Sequence, residues 1–161
     1  MAKAWEVLNV GPDVPLSLCA RRIIDTRFRE MMSYREGTIL GEDIEQLHSM
    51  RVSSRRLRSA MRNFRACFPH DEFRYHVGRI RDIADGLGRV RDLDVRIAWF
   101  RDFLVHAPRA DKEGVRFVIA RADHERSLAR VPMISLLEQL ADEDYETEFL
   151  DFVWGEESRD G

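Results

Sequence analysis

Arginine is the residue type in this chain whose spacing points most directly to chemistry. Arg51, Arg55, Arg58, Arg62 and Arg65 follow one another at intervals of 4, 3, 4 and 3 residues, and His48 opens the same row. A helix of 3.6 residues per turn stacks these positions on one side, giving a cationic strip roughly 20 Å long. The stretch 48–65, HSMRVSSRRLRSAMRNFR, also carries Arg56 and contains no Asp or Glu. Like charges at this spacing repel one another within a helix. A polyanion, or carboxylates from elsewhere in the fold, must answer them, and the planar fork of a guanidinium suits phosphate oxygens. Ser49, Ser53, Ser54 and Ser59 are small polar residues that permit close helix packing or add hydrogen bonds to a bound anion.

The stretch 86–95, GLGRVRDLDV, extends the basic set with Arg89 and Arg91 and brings in Asp92 and Asp94. An Asp-x-Asp pair can hold a divalent cation, but no His or Glu stands nearby to complete a ligand set. The two carboxylates read more simply as structural support that holds arginines in place. None of the five histidines stands in an H-E-x-x-H arrangement. The chain has no glycine-rich phosphate loop after a strand, no nucleophile elbow and no zinc spacing. No catalytic residue, metal or cofactor is therefore expected. Cys19 and Cys67 are too few and too far apart for a disulfide framework and read as reduced core residues.

The charge balance agrees with a basic middle segment. The net charge is −3, yet residues 48–109 hold 14 Arg against 7 acidic residues, while residues 110–161 hold 6 basic against 14 acidic residues. Of the 26 basic residues all but Lys3 and Lys112 are arginine, an excess to which codon usage can contribute without placing the side chains in a row. A hydrophobic fraction of 44% is ordinary for a globular domain and too high for disorder. No apolar run has the length of a membrane span and the N-terminus lacks a signal-peptide pattern, so a cytoplasmic protein is expected.

Helical periodicity must position these groups, and nothing reads as a strand. Helices are predicted over 16–34, 42–69, 71–103, 111–140 and 145–154, with a loop bracketed by Gly37 and Gly41. The second helix carries a buried row of Leu47, Met50, Leu57, Met61, Phe64 and Phe68, about 100° from the arginine row. It can therefore bury one stripe while the arginines line a groove. Gly86 and Gly88 mark an expected kink or close helix approach, and Pro132 an expected kink or break. The expectation is an all-α antiparallel bundle of four to five helices. It forms one domain over 1–161, with a core at about 12–154 and a frayed acidic tail at 155–161.

These stretches resemble a known family. HSMRVSSRRLRSAMRNFRACFP is similar to the H-x-x-R-V-x-x-R-R-L-R signature of CHAD domains, the conserved histidine α-helical domains. IRDIADGLGRVRDLDV resembles their second signature, which ends L-G-x-x-R-D-x-D-V, and an N-terminal helix with PLSLCARRII precedes both. The resemblance implies binding of inorganic polyphosphate on a basic helical surface, often on proteins recruited to polyphosphate granules. It carries over to His48, Arg51, Arg55, Arg56 and Arg58 in the first signature and to Arg91, Asp92 and Asp94 in the second. Arg62 and Arg65 rest on helical spacing alone. CHAD domains usually pair two related helical halves around a basic pore, and this chain corresponds to one N-terminal-type half.

The expected function is thus non-enzymatic polyphosphate binding, with contacts from His48, Arg51, Arg55, Arg56, Arg58, Arg62, Arg65, Arg89 and Arg91. A homodimer would supply the second basic row. A nucleic-acid-binding helical protein would use the same electrostatics, although Phe64, Phe68 and Phe73 fall on buried rows and leave few aromatics for base stacking. A Mg²⁺-dependent enzyme on phosphorylated substrates would need Asp92 and Asp94 as ligands. The acidic segment 138–161 is a rival occupant that could fold over the arginines.

Overall fold

The structure, a computed structural model, describes residues 3–155. Its helices are α1 (Leu16–Met32), α2 (Arg35–Leu40), α3 (Ile44–Asn63), α4 (His70–His106), α5 (Lys112–Asp142) and α6 (Tyr145–Trp154), with a short 3₁₀ turn at Arg65–Cys67. Among the described residues there is no strand. The expected all-α bundle is present. α1 packs on α3, α3 on α4 and α4 on α5, while α6 closes the base by touching α1, α4 and α5.

The apolar rows meet in one core. Ile24, Phe28 and Met31 of α1 are fully buried with Met50, Leu57 and Met61 of α3, Ile80, Ile83 and Leu87 of α4, Leu137 of α5, and Tyr145, Phe149 and Val153 of α6. Phe28 stacks on Phe149 with ring centroids 4.0 Å apart, and Phe68 meets Phe152 at 5.1 Å. Such aromatic pairs add roughly 0.5–1.5 kcal/mol each beyond the area they bury. They fasten α6 to α1 and to the segment just before α4, because the ten-residue α6 is too short to be stable alone.

Several boundaries depart from the sequence expectation for local reasons. The second predicted helix ends at Asn63 and not near Pro69. Phe68, which precedes Pro69, is held extended at φ −131° and ψ 153°, as the proline ring requires. The helix must unwind before it, and Arg65 lies in the 3₁₀ turn. The loop between Gly37 and Gly41 is largely the helix α2, and Gly41 ends it in the left-handed region at φ 72°. A Cβ at Gly41 would lie 2.3 Å from the Arg130 guanidinium, which donates to the Ile39 carbonyl at 3.0 Å and ties α2 to α5.

Helices α4 and α5 run unbroken through the expected kinks. Gly86 instead allows close approach, since its Cβ position is 3.9 Å from the Met133 side chain. Pro132 is exposed, and so is Leu128, four residues back, whose carbonyl loses its helical partner. On that outer face water can replace the missing hydrogen bond, so the helix continues. Asp43 caps α3 by accepting from the Glu45 amide at 2.9 Å, which sets where the arginine row begins.

Candidate functional site

Along the seam between α3 and α4 runs a groove made of four adjoining cavities. The first, about 340 Å³, is lined by His48, Arg51, Arg55, Arg91, Asp92 and Val95. The second, about 410 Å³, shares Arg51, Arg55 and Asp92 with it and adds Arg58, Asp85, Gly88 and Arg89. Arg58 leads into the third, about 290 Å³, with Arg62, Arg65, Phe73 and Val77. Arg62 and Arg65 open the fourth, about 420 Å³, which ends at His70. Because each cavity shares cationic side chains with the next, the arginine row forms one wall of a continuous channel.

The arginines keep most of their binding capacity. Among the described residues Arg55, Arg58, Arg62, Arg65, Arg89 and Arg91 have no carboxylate within 4.0 Å. Arg51 has one weak contact, to Asp92 at 4.0 Å, and the Asp92 side chain is 73% exposed. An exposed pair at that distance contributes at most about 1 kcal/mol. Gly88 gives this pair room, since its Cβ position lies 4.0 Å from Arg51 Nε and no side chain fills the floor there. Asp85 is the other acidic residue on the wall, so the groove's described lining is strongly cationic.

Two expected members of the site belong elsewhere. Arg56 sits about 100° from the row and turns towards α1, donating to Glu30 at 2.7 Å. Glu30 is fully buried and accepts from Arg27 at 2.6 Å as well. Arg56 is therefore a structural partner of a buried carboxylate and lines none of the four cavities. Asp94 is also buried, and it accepts from Arg126 Nε of α5. It holds α5 against α4 and does not support the groove arginines. Its second oxygen, Oδ2, has no partner among the described groups. Asp92 is the carboxylate that faces the row.

The hydroxyls of Ser53 and Ser54 are spent within the helix. Ser54 donates to the Arg51 carbonyl at 2.8 Å and Ser53 to the Ser49 carbonyl, and all three are buried. Cys19 and Cys67 are free and half-buried. The described part of the acidic C-terminal segment faces other partners: Glu143 pairs with Arg79 at 2.5 Å, and Glu148 and Asp151 line a separate cavity with Arg21 and His76. None of residues 138–155 lines the groove. The proposed tail contact of residues 156–161 lies outside the described residues.

Sequence reasoning missed a buried histidine at the base of the bundle. His76 Nδ1 lies 3.1 Å from the Tyr145 hydroxyl, beneath Phe149 and Phe152. Burial, helped by the Arg79 charge, pushes the imidazole down to about 4, and burial pushes the Tyr145 phenol up. His76 stands on the row of Phe73 and Ile80 at 3/4 spacing, which was the available signal. Among the described residues no group of three or more His, Cys, Asp or Glu side chains is placed to hold a metal ion. None of the described helices is long and apolar enough to cross a membrane.

The all-α bundle, with an arginine row opposed across a groove by a G-x-x-R-D-x-D helix, defines the class. The model of the CHAD domain matches residues 22–158, and the chain belongs to that family. No curated protein and no solved structure shows significant similarity to it.

Proposed function

We propose that the groove between α3 and α4 binds inorganic polyphosphate without turning it over. The observation that carries this reading is the continuity of the cationic wall from His48 to His70, along which most arginines have no carboxylate within 4.0 Å among the described residues. A linear chain of phosphates presents repeated anionic oxygens to such a wall, and guanidinium forks bind them without reading any sequence. Arg51, Arg55, Arg58, Arg62 and Arg65 contact successive phosphates from one side, and Arg89 and Arg91 from the other. Family membership supports the same reading. A chain longer than the groove bridges two copies, which gives a polyphosphate-dependent homodimer, and the same affinity recruits the protein to polyphosphate granules in the cytoplasm.

Isothermal titration with long-chain polyphosphate at two salt concentrations tests the proposal. Each neutralised phosphate releases condensed counterions, so log affinity falls linearly with log salt, with a slope of about −0.7 per contact on a single-stranded polyanion. Several contacts predict a steep slope. No detectable binding at low salt would overturn the reading.

A further inference from the structure

The α4 wall of the groove continues beyond the arginines. Gly88, Asp92 and Val95 lie on it at successive turns and line the first two cavities. The next two turns of the same row carry Trp99 and Phe103. α3 begins one turn before His48, so α4 outruns it at this end. Trp99 is 60% exposed and Phe103 41% exposed. Their rings are nearly parallel, 3° apart with centroids at 5.5 Å, while Phe100 meets the indole edge-on at 5.0 Å. The indole is thus held in one orientation by aromatic neighbours and still presents a wide open surface. Arg96, the nearest preceding cation, leans towards Glu125 of α5 at 3.9 Å and does not pair with the groove carboxylates.

An inorganic phosphate chain has no use for a fixed, exposed aromatic pair. A nucleobase does, because stacking on an aromatic face is a main source of affinity for bases and tolerates any base. The rise from Val95 to Trp99 is about 6 Å, one helical turn, a step that a ribose can bridge between a 5′-phosphate and its base. We propose that the His48 end of the groove takes nucleoside 5′-polyphosphates, with phosphates among Arg51, Arg55 and Arg91 and the base stacked on Trp99. This rests on the phosphate-binding reading of the groove and assigns its end to a ligand class that carries a planar heterocycle.

Titration calorimetry with adenosine 5′-tetraphosphate and inorganic tetraphosphate, at matched salt, separates the two readings. The nucleoside form carries less negative charge, so arginines alone predict that it binds more weakly. Stacking on Trp99 predicts that it binds about 5-fold or more tightly than the inorganic chain. Trp99→Ala should remove that preference while leaving the affinity for inorganic tetraphosphate unchanged, and Trp99→Phe should keep part of it. If inorganic tetraphosphate binds as well as or better than the nucleoside form, the aromatic platform is refuted and the phosphate groove stands. If neither binds while long-chain polyphosphate does, this assignment falls alone; if long-chain polyphosphate also fails to bind, both readings fall. Light scattering of the unliganded Trp99→Ala variant completes the test: a lower mass than the parent chain would show that the indole is covered by a second copy, and would overturn the assignment.

Discussion

Replacing Arg55 by Gln and, in a separate variant, Arg56 by Gln should give opposite phenotypes, although the two residues are adjacent in the chain. Arg55 is exposed, lines two of the groove's cavities and has no carboxylate within 4.0 Å among the described residues. Its loss should leave stability within about 0.5 kcal/mol, as for most surface substitutions. Polyphosphate affinity at low salt should fall about 5- to 10-fold, or about 1–1.4 kcal/mol, the net worth of one solvent-exposed hydrogen bond. The salt slope should shrink by about 0.7, one contact's counterion release. Arg56 donates to the fully buried Glu30, which also pairs with Arg27. Losing a hydrogen bond to a buried charge costs about 1.5–3 kcal/mol. In a chain of this size each kcal/mol lowers Tm by about 2–4 °C, so a fall of about 3–12 °C is expected. Calorimetric titration at about 50 mM and about 200 mM salt spans the range where the slope is measurable, and circular dichroism melting gives Tm. The site assignment would be refuted if Arg55→Gln bound with unchanged affinity and slope, or if folded Arg56→Gln showed the larger binding defect.

Three further outcomes follow from the same geometry. Asp92→Asn removes the carboxylate that faces Arg51 at 4.0 Å, so it should tighten polyphosphate binding a few-fold without lowering Tm; a Mg²⁺-dependent turnover that this substitution abolishes would contradict the non-enzymatic reading. Asp94→Ala leaves Arg126 without its buried partner, with Arg130 close by, and should cost about 3–5 kcal/mol in denaturant unfolding while leaving the salt slope of binding unchanged; an altered slope would mean that Asp94 supports the groove after all. His76 titrates at about 4 when folded against 6.5 unfolded, so the unfolded chain binds more protons between these values. Stability should therefore fall, by up to about 3 kcal/mol, as pH drops from about 6.5 to about 4. His76→Phe should flatten that limb of a pH series of urea unfolding curves, and an equally steep limb in the variant would contradict the assignment.

The long helices were legible because their apolar rows repeat without interruption. Leu47, Met50, Leu57 and Met61 mark the buried side of α3 directly, and the arginine row then follows as its neighbour at about 100°. What could not be read is which charged residue is answered by another distant in sequence. Glu30 looks like a surface residue in ARRIIDTRFREMM, yet it is fully buried 26 positions from Arg56. The same applies to Asp94, whose partner Arg126 lies 32 positions away on α5. At the far end of α4 the row of Val90, Leu93, Ile97 and Phe100 still marks the covered side, with Val90 and Ile97 buried and Leu93 and Phe100 half-buried. There Arg96 and Arg101 face Glu125 and Asp123 of α5, while Trp99 and Phe103 stay exposed among the described residues. The 3₁₀ turn that carries Arg65 was hidden because the pre-proline restriction at Phe68 acts backwards along the chain.

Whether one groove gathers these arginines around a phosphate chain can be read most directly from the Nε–Hε resonances of arginine during titration with polyphosphate of defined length. Arg51, Arg55, Arg58, Arg62, Arg65, Arg89 and Arg91 should shift together with one saturation midpoint, while Arg56 and Arg126, held by Glu30 and Asp94, stay in place. Shifts led by Arg56 and Arg126, or spread evenly over arginines far from the α3–α4 seam, would contradict a single groove.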